Sequence, residues 1–236
     1  MELPFDLDAV YLLFASWIGA THGSAPTAKT RNGTYTGIYL PEFEQDVFLG
    51  VPYANAPRLE NPQSLVEGWA GTRPAAFNGD ACLALVPQEI QDIFNISVSD
   101  DCLNLKIVRP SGRSQKDPLL PVVVWIYGGG FATGFNVDSN TNTSCVIQAS
   151  VENGTPIMSV HINYRLGFFG FPGGHQAAAA GITNLGLKDQ RLALAWIQEN
   201  IAGFGGDPDK VTLWGQRLAV RKQHVFPHRP KLRRRV

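Results

Sequence analysis

The stretch VVVWIYGGGFATG at 122–134 decides the fold class, because an apolar run leads directly into a glycine triplet. The run from Val122 to Ile126 is rich in β-branched residues, which is typical of a strand covered on both faces in a parallel sheet. The glycines that follow let the backbone turn sharply, with no Cβ to obstruct its N–H groups. Two such N–H groups aimed at one point would form an oxyanion hole, which stabilises developing charge on a carbonyl oxygen. A glycine-rich turn without a ligand is the competing interpretation.

Length and composition are consistent with one large α/β domain. The chain has 236 residues, and a hydrophobic content of 44% is enough for a sizeable core. The formal net charge of zero conceals an asymmetry, since residues 217–236 carry eight of the 20 Lys/Arg and none of the 20 Asp/Glu. The remainder of the chain is therefore acidic, and its last 20 residues form a basic tail without periodicity.

Strand and helix patterns alternate along the chain. Apolar or alternating runs predict strands at 34–39, 46–51, 103–108, 156–164 and 211–214. A proline-rich segment at 52–74 predicts little regular structure. The stripe Leu187, Leu194, Ile197 and Ile201 predicts a helix over 187–202 that stops at Gly203. His161 lies inside a predicted strand, which favours a core histidine over a general base. Strands that alternate with helices indicate an α/β sheet with right-handed crossovers.

The N-terminus and four glycosylation triplets favour secretion. The apolar run at 9–20 is too short to span a bilayer and is followed by small residues, so we predict a signal peptide over 1–25, although its leading residues are acidic. A first buried helix is the alternative. Asn-x-Ser/Thr triplets occur at Asn32, Asn95, Asn142 and Asn153.

The chain contains only three cysteines. Cys82 and Cys102 bracket a stretch that suits a bridged surface loop, and a bridge would require an oxidising compartment. Buried free thiols are the alternative, and the chain offers no Cys-x-x-Cys or paired histidine spacing for a metal. Cys145 has no partner in this interpretation. We predict no metal and no cofactor.

Several long motifs resemble the type-B carboxylesterase/lipase family, the cholinesterase-like branch of the α/β-hydrolases, and fungal members most of all. The similar stretches are FLGVPYA at 48–54, SDDCLNLKIVRP at 99–110, WIYGGGFATG at 125–134, NYRLGFFGF at 163–171 and NLGLKDQRLALAWIQENIAGFGGDPDKVTLWG at 184–215. The resemblance covers roughly residues 27–216. It implies the N-terminal portion of an α/β-hydrolase fold, with a mostly parallel central sheet and small N-terminal antiparallel strands, truncated before the nucleophile elbow.

The resemblance also implies roles for individual residues. Gly129 and Gly130 match the glycines whose N–H groups form the oxyanion hole, and Leu218 stands where the third donor is expected. Cys82 and Cys102 match the pair that forms the family's first disulfide loop. Asn163, Arg165, Asp189 and Gln190 fall in architectural motifs, where Arg165 would pair with Asp101 or Asp189. The expected substrate is a small-molecule or lipid ester, without nucleic acid or a transmembrane segment, and the oligomeric state stays open.

The chain departs from the family at the nucleophile. Gly215-Gln216 begins a Gly-x-Ser-x-Gly elbow, but Arg217 occupies the serine position. The triad acid and histidine are expected in a C-terminal half that this chain lacks, and none of its five histidines stands at a catalytic position. We therefore predict an inactive esterase, either truncated or translated from a wrongly assigned coding sequence, with residues 217–236 as a disordered or frameshifted tail. The alternatives are a non-catalytic cholinesterase-like binding module and a nuclear or nucleic-acid-binding fragment that uses the basic tail.

A one-nucleotide change would account for the departure if the codons are as follows. The residues Arg-Leu-Ala-Val at 217–220 can be encoded CGG CTG GCG GTN, and one T placed before them gives codons for Ser-Ala-Gly-Gly. After Gly215-Gln216 this completes Gly-Gln-Ser-Ala-Gly. The sequence thus predicts a reading-frame change at residue 217.

Overall fold

The computed structural model describes residues 25–84, 87–94, 97–114, 116–138 and 141–216. The predicted signal peptide (except Ala25), the triplet asparagine Asn95, the nucleophile position Arg217 with its neighbour Leu218, and the basic tail therefore lie outside the described residues. The predictions made for them stay predictions.

The described residues form thirteen strands and five α-helices. The strands are β1 Thr27–Lys29, β2 Thr34–Thr36, β3 Ile38–Leu40, β4 Gln45–Pro52, β5 Ala54–Asn55, β6 Gln63–Ser64, β7 Thr72–Pro74, β8 Ala81–Cys82, β9 Val98–Ser99, β10 Asn104–Pro110, β11 Leu120–Ile126, β12 Met158–Ile162 and β13 Gly206–Gly215. The helices are α1 Gln88–Phe94, α2 Ser144–Glu152, α3 Gly167–Gly170, α4 His175–Ala179 and α5 Leu185–Asn200, and a 3₁₀ turn at Ile201–Phe204 extends α5. None of the described helices is long and apolar enough to cross a membrane.

Six strands build the central sheet in the order β13-β11-β12-β10-β4-β3. The strand β11 lies between β12 and β13 and pairs with both in parallel. The other three pairs, β12–β10, β10–β4 and β4–β3, are antiparallel. The prediction of a mostly parallel central sheet is therefore wrong for the described residues, because the N-terminal strands join the central sheet as antiparallel neighbours and make it mixed.

Short strands also occur where the sequence predicted little regular structure. The strands β5 and β6 pair with each other, and β7 pairs in parallel with β2. All three lie within 52–74, so the prediction for the proline-rich segment is wrong at these positions. Pro74 terminates β7, which lies at the edge of a three-stranded sheet, where a missing N–H is tolerated.

The predicted helix is confirmed as α5, although its boundaries differ from 187–202 by two residues at each end. Ile197 and Ile201 of the predicted stripe are fully buried, as are Asp189 and Gln190, which the apolar pattern did not select. The helix gives way to the 3₁₀ turn before it reaches Gly203. A Cβ on Gly203 would lie 1.8 Å from the carbonyl oxygen of Lys29, so this glycine permits close approach to β1.

Candidate active site: the glycine loop

The glycine triplet follows the C-terminal end of β11, at the edge of the sheet where α/β proteins place their ligands. Gly129 and Gly130 have φ angles of +97° and +66°, in the left-handed region that favours glycine. Both residues are exposed. Neither backbone N–H donates a hydrogen bond to another described residue, whereas the Gly129 carbonyl accepts from Ala132 N at 3.1 Å and from Thr133 N at 3.2 Å. The loop is thus closed through its carbonyl groups, which leaves the two N–H groups available to a ligand.

The end of β13 lies beside this loop. Gln216 N donates to the carbonyl oxygen of Ile126 at 3.4 Å. A Cβ on Gly128 would lie 3.0 Å from both the carbonyl oxygen and Oε1 of Gln216. Gln216, the last residue that the structure describes, therefore lies directly next to the first glycine of the triplet.

Two tyrosines join the ends of β11 and β12. The Tyr127 hydroxyl donates to the Tyr164 carbonyl at 2.9 Å, and the Tyr164 hydroxyl donates to the Tyr127 carbonyl at 3.0 Å. Their rings stack with centroids 4.5 Å apart. Burial raises the pKa of both hydroxyls, so they act as neutral hydrogen-bonding groups. This reciprocal pair of hydrogen bonds fixes the start of the glycine loop. The sequence analysis did not predict it, although a tyrosine stands at the end of each of the two apolar runs.

A buried ion pair supports the other side of the loop. The Nη2 and Nε atoms of Arg165 donate to the two carboxylate oxygens of Asp189 at 2.7 Å and 2.8 Å. The side chains of these residues are 5% and 0% exposed, which confirms the second of the two partners predicted for Arg165. Two residues further on, Gly167 N donates to the carbonyl oxygen of Phe131 at 2.6 Å. Because Phe131 itself follows the triplet, the ion pair is connected to the glycine loop through this hydrogen bond.

The structure confirms that His161 is a core residue. It is 0% exposed, and its Nε2 lies 3.0 Å from the Thr143 hydroxyl. Burial, with the nearby Lys106 cation, lowers its pKa from 6.5 to about 3. His175 is exposed at the start of α4, and no hydrogen bond joins either histidine to the glycine loop. Neither of the two described histidines is therefore hydrogen-bonded to the loop.

Cys82 and Cys102 form a disulfide, as the family resemblance implied. The bridge joins β8 to the residue two positions before β10, and both cysteines are fully buried. Cys145 is free and exposed on α2. The bridge anchors the segment that carries α1 and β9 to the central sheet.

Comparison with known proteins shows the family. The carboxylesterase family model matches residues 24–218. Lipase 1 of Geotrichum candidum is 36% identical over 87% of this chain and 41% of its own length. A secreted lipase of Arthroderma benhamiae is 40% identical over 80% of this chain and 33% of its own length, and the bile salt-activated lipase of Mus musculus is 39% identical over 81% and 31%.

The chain belongs to the carboxylesterase family, and it spans only 31% to 41% of the length of these three relatives.

Alanine substitutions in the triplet test how narrowly the loop is constrained. A Cβ on Gly129 would lie 2.1 Å from the Thr133 carbonyl oxygen, whereas a Cβ on Gly130 meets nothing within 4 Å. Both changes force alanine into the left-handed region, so we expect Gly130→Ala to lower the free energy of unfolding by about 1 kcal/mol. Gly129→Ala should lower it by about 3 kcal/mol, because the backbone must also shift. Urea unfolding measures both values, and equal losses would contradict this account of the loop.

Proposed function

We propose that this chain is a carboxylic ester hydrolase family member that keeps the oxyanion-binding loop but does not hydrolyse esters by a serine mechanism. The observation that carries the proposal is Arg217, which follows Gln216 where the end of β13 meets Gly128. Family membership and the two available N–H groups of Gly129 and Gly130 support the oxyanion loop. The ligand class is a small-molecule or lipid ester, whose carbonyl oxygen would accept from these N–H groups.

Arginine cannot substitute for the serine nucleophile. Its guanidinium stays protonated in proteins, and it therefore offers no lone pair for attack on a carbonyl carbon. Acyl transfer by this family's chemistry needs a hydroxyl oxygen whose proton passes to a base, and the described histidines do not reach the loop. An oxyanion loop with substrate binding alone would polarise an ester without forming an acyl-enzyme.

A turnover assay tests the proposal. We expect the 236-residue chain to hydrolyse p-nitrophenyl butyrate no faster than its Arg217→Ala variant, because neither residue is a nucleophile. The measurement is the initial rate at increasing protein concentration, after removal of contaminating esterases. A rate that scales with the concentration of either chain and is abolished by a fluorophosphonate would refute the proposal.

We also propose that a reading-frame change separates this chain from a Gly-Gln-Ser-Ala-Gly elbow. The support is compositional, since the charge balance reverses at residue 217 and the family match ends at residue 218. The transcript sequence across codons 210–225 decides the question. A transcript sequence that confirms the present frame, with no esterase sequence in either alternative frame, would refute the proposed reading-frame change.

A secretory location is the third part of the proposal. The buried Cys82–Cys102 disulfide supports it, because such bridges persist in oxidising compartments. The triplets at Asn32, Asn142 and Asn153 lie in described segments and are compatible with glycosylation in that pathway. Two of the similar fungal proteins are named secreted lipases, which is consistent with the same location for this chain.

A further inference from the structure

The three described glycosylation triplets differ in how their asparagine amide is used. An asparagine side chain has two N–H donors and one oxygen acceptor. In N-glycosylation the Nδ2 atom forms a bond to C1 of the sugar, and the C1–O bond to a lipid-linked oligosaccharide pyrophosphate breaks. One Nδ2 proton leaves to a base of the transferase. A glycosylated asparagine therefore keeps one N–H donor and its oxygen acceptor.

Asn32 uses both of its N–H donors in the folded chain. Its Nδ2 donates to the carbonyl oxygens of Leu65 and Glu67, at 3.2 Å and 2.9 Å. The backbone carbonyl oxygen of Asn32 accepts a hydrogen bond from Trp69 N at 2.9 Å. The neighbouring Gly33 lies so close to Trp69 that a Cβ there would be 2.3 Å from the indole ring. Asn32 thus fastens the turn between β1 and β2 to the segment 65–69, and a sugar on Nδ2 would displace one of these two contacts.

Asn153 uses one donor and is exposed. It caps the C-terminal end of α2, where its Nδ2 donates to the carbonyl oxygen of Ala149 at 2.8 Å. A glycosylated Asn153 would keep one side-chain N–H, which is enough to maintain the hydrogen bond to the Ala149 carbonyl oxygen. The exposed position leaves room for the sugar.

Asn142 uses neither donor toward a described residue. Its Oδ1 accepts a hydrogen bond at 3.1 Å from the backbone N of Ser144, the first residue of α2. Asn142 is exposed. The oxygen survives glycosylation, so the contact at the start of α2 would be kept. A sugar on Nδ2 therefore removes no contact that the described residues make at this site.

We propose that the folded chain carries N-glycans at Asn142 and Asn153 and none at Asn32. The proposal rests on the proposed secretory location and is independent of the proposed lack of activity. The modification is an asparagine-linked oligosaccharide. The sites differ in how many hydrogen bonds the asparagine Nδ2 donates in the folded chain, which is zero at Asn142, one at Asn153 and two at Asn32.

Site-specific occupancy tests the proposal. The full chain is secreted from yeast behind a heterologous leader, which ensures entry into the pathway, and the monomeric fraction is treated with PNGase F in H₂¹⁸O. Peptide mass spectrometry then reports the labelled fraction at each triplet. We expect label at Asn142 and Asn153 and unmodified Asn32. Label at Asn32 in the folded monomer, or none at Asn142 or at Asn153, would overturn the proposal.

Matched variants keep the result independent of folding defects. Thr34→Val disables the Asn32 triplet without touching the Asn32 amide, so we expect an unchanged glycan pattern and an unchanged Tm. Asn142→Asp removes the attachment atom but keeps an oxygen for Ser144 N, so we expect one glycan fewer and a folded chain. Loss of a glycan in Thr34→Val, or an unchanged glycan number in Asn142→Asp, would overturn the assignment. Esterase assays on the same samples test the proposed function separately.

Discussion

Replacement of Asp189 by asparagine is expected to lower the free energy of unfolding by about 3–5 kcal/mol, the usual cost of leaving one buried charge without its partner. Asp189 accepts three hydrogen bonds from Arg165, from Nη2, Nε and the backbone N, at 2.7 Å, 2.8 Å and 3.0 Å. Asparagine has nearly the same volume, so the change removes charge and acceptors without making a cavity. The guanidinium of Arg165 would then lie buried with only carbonyl oxygens as partners, such as that of Glu60 at 2.8 Å.

An exposed pair provides the matched control for this substitution. Arg58 and Asp100 also form a bidentate contact, but their side chains are 56% and 41% exposed. Asp100→Asn should therefore change the free energy of unfolding by about 0–1 kcal/mol. Urea unfolding at neutral pH compares the two variants. Equal losses would show that burial of the Arg165–Asp189 pair is not what stabilises this part of the fold.

Acid should destabilise the protein through His161. Burial and the Lys106 cation lower the pKa of the folded imidazole from 6.5 to about 3, so the folded state holds His161 neutral. As the pH falls below 6.5 the unfolded chain takes up a proton that the folded chain does not. The stability from neutral His161 is thus fully present above pH 6.5 and is lost as the pH falls towards about 3. In the middle of this window one proton is worth about 1.4 kcal/mol per pH unit.

His161→Gln isolates this contribution, because glutamine does not titrate and its amide can still form a hydrogen bond with Thr143. We expect the variant to lose about 1.4 kcal/mol per pH unit less than the wild type between roughly pH 6 and 4. The measurement is the free energy of unfolding in urea as a function of pH. Identical slopes for His161→Gln and wild type would refute the assignment.

Local signals predicted the parts of the site that depend on local sequence. The apolar run from Val122 to Ile126 predicts a strand in the interior of a parallel sheet. The strand β11 indeed pairs in parallel with β12 on one edge and with β13 on the other. Gly129 and Gly130 adopt positive φ angles, as a sharp turn after a strand requires. The disulfide, by contrast, is implied by the resemblance to the family and not by local sequence alone, and it is present.

Features that depend on partners far apart in sequence could not be predicted in the same way. The strand β10 pairs antiparallel with β4 and with β12. Its own sequence does not indicate which strands it pairs with or in which direction. Asp189 is fully buried in α5 because Arg165 neutralises it, so an apolar stripe alone does not identify the buried face. The Asn32 triplet looks like the others until the carbonyl groups of Leu65 and Glu67 are placed around it.

Active-site labelling tests the central claim, that this family member carries an oxyanion loop without a nucleophile. The full chain is incubated with a fluorophosphonate probe, which forms a covalent bond with an activated serine, and intact mass spectrometry counts the adducts. An intact serine esterase serves as the positive control, and a heat-denatured sample of the chain reports non-specific reaction. The account predicts no adduct above the denatured sample, because Arg217 occupies the serine position. One adduct per chain, abolished by denaturation and mapped to a serine near the glycine loop, would contradict it.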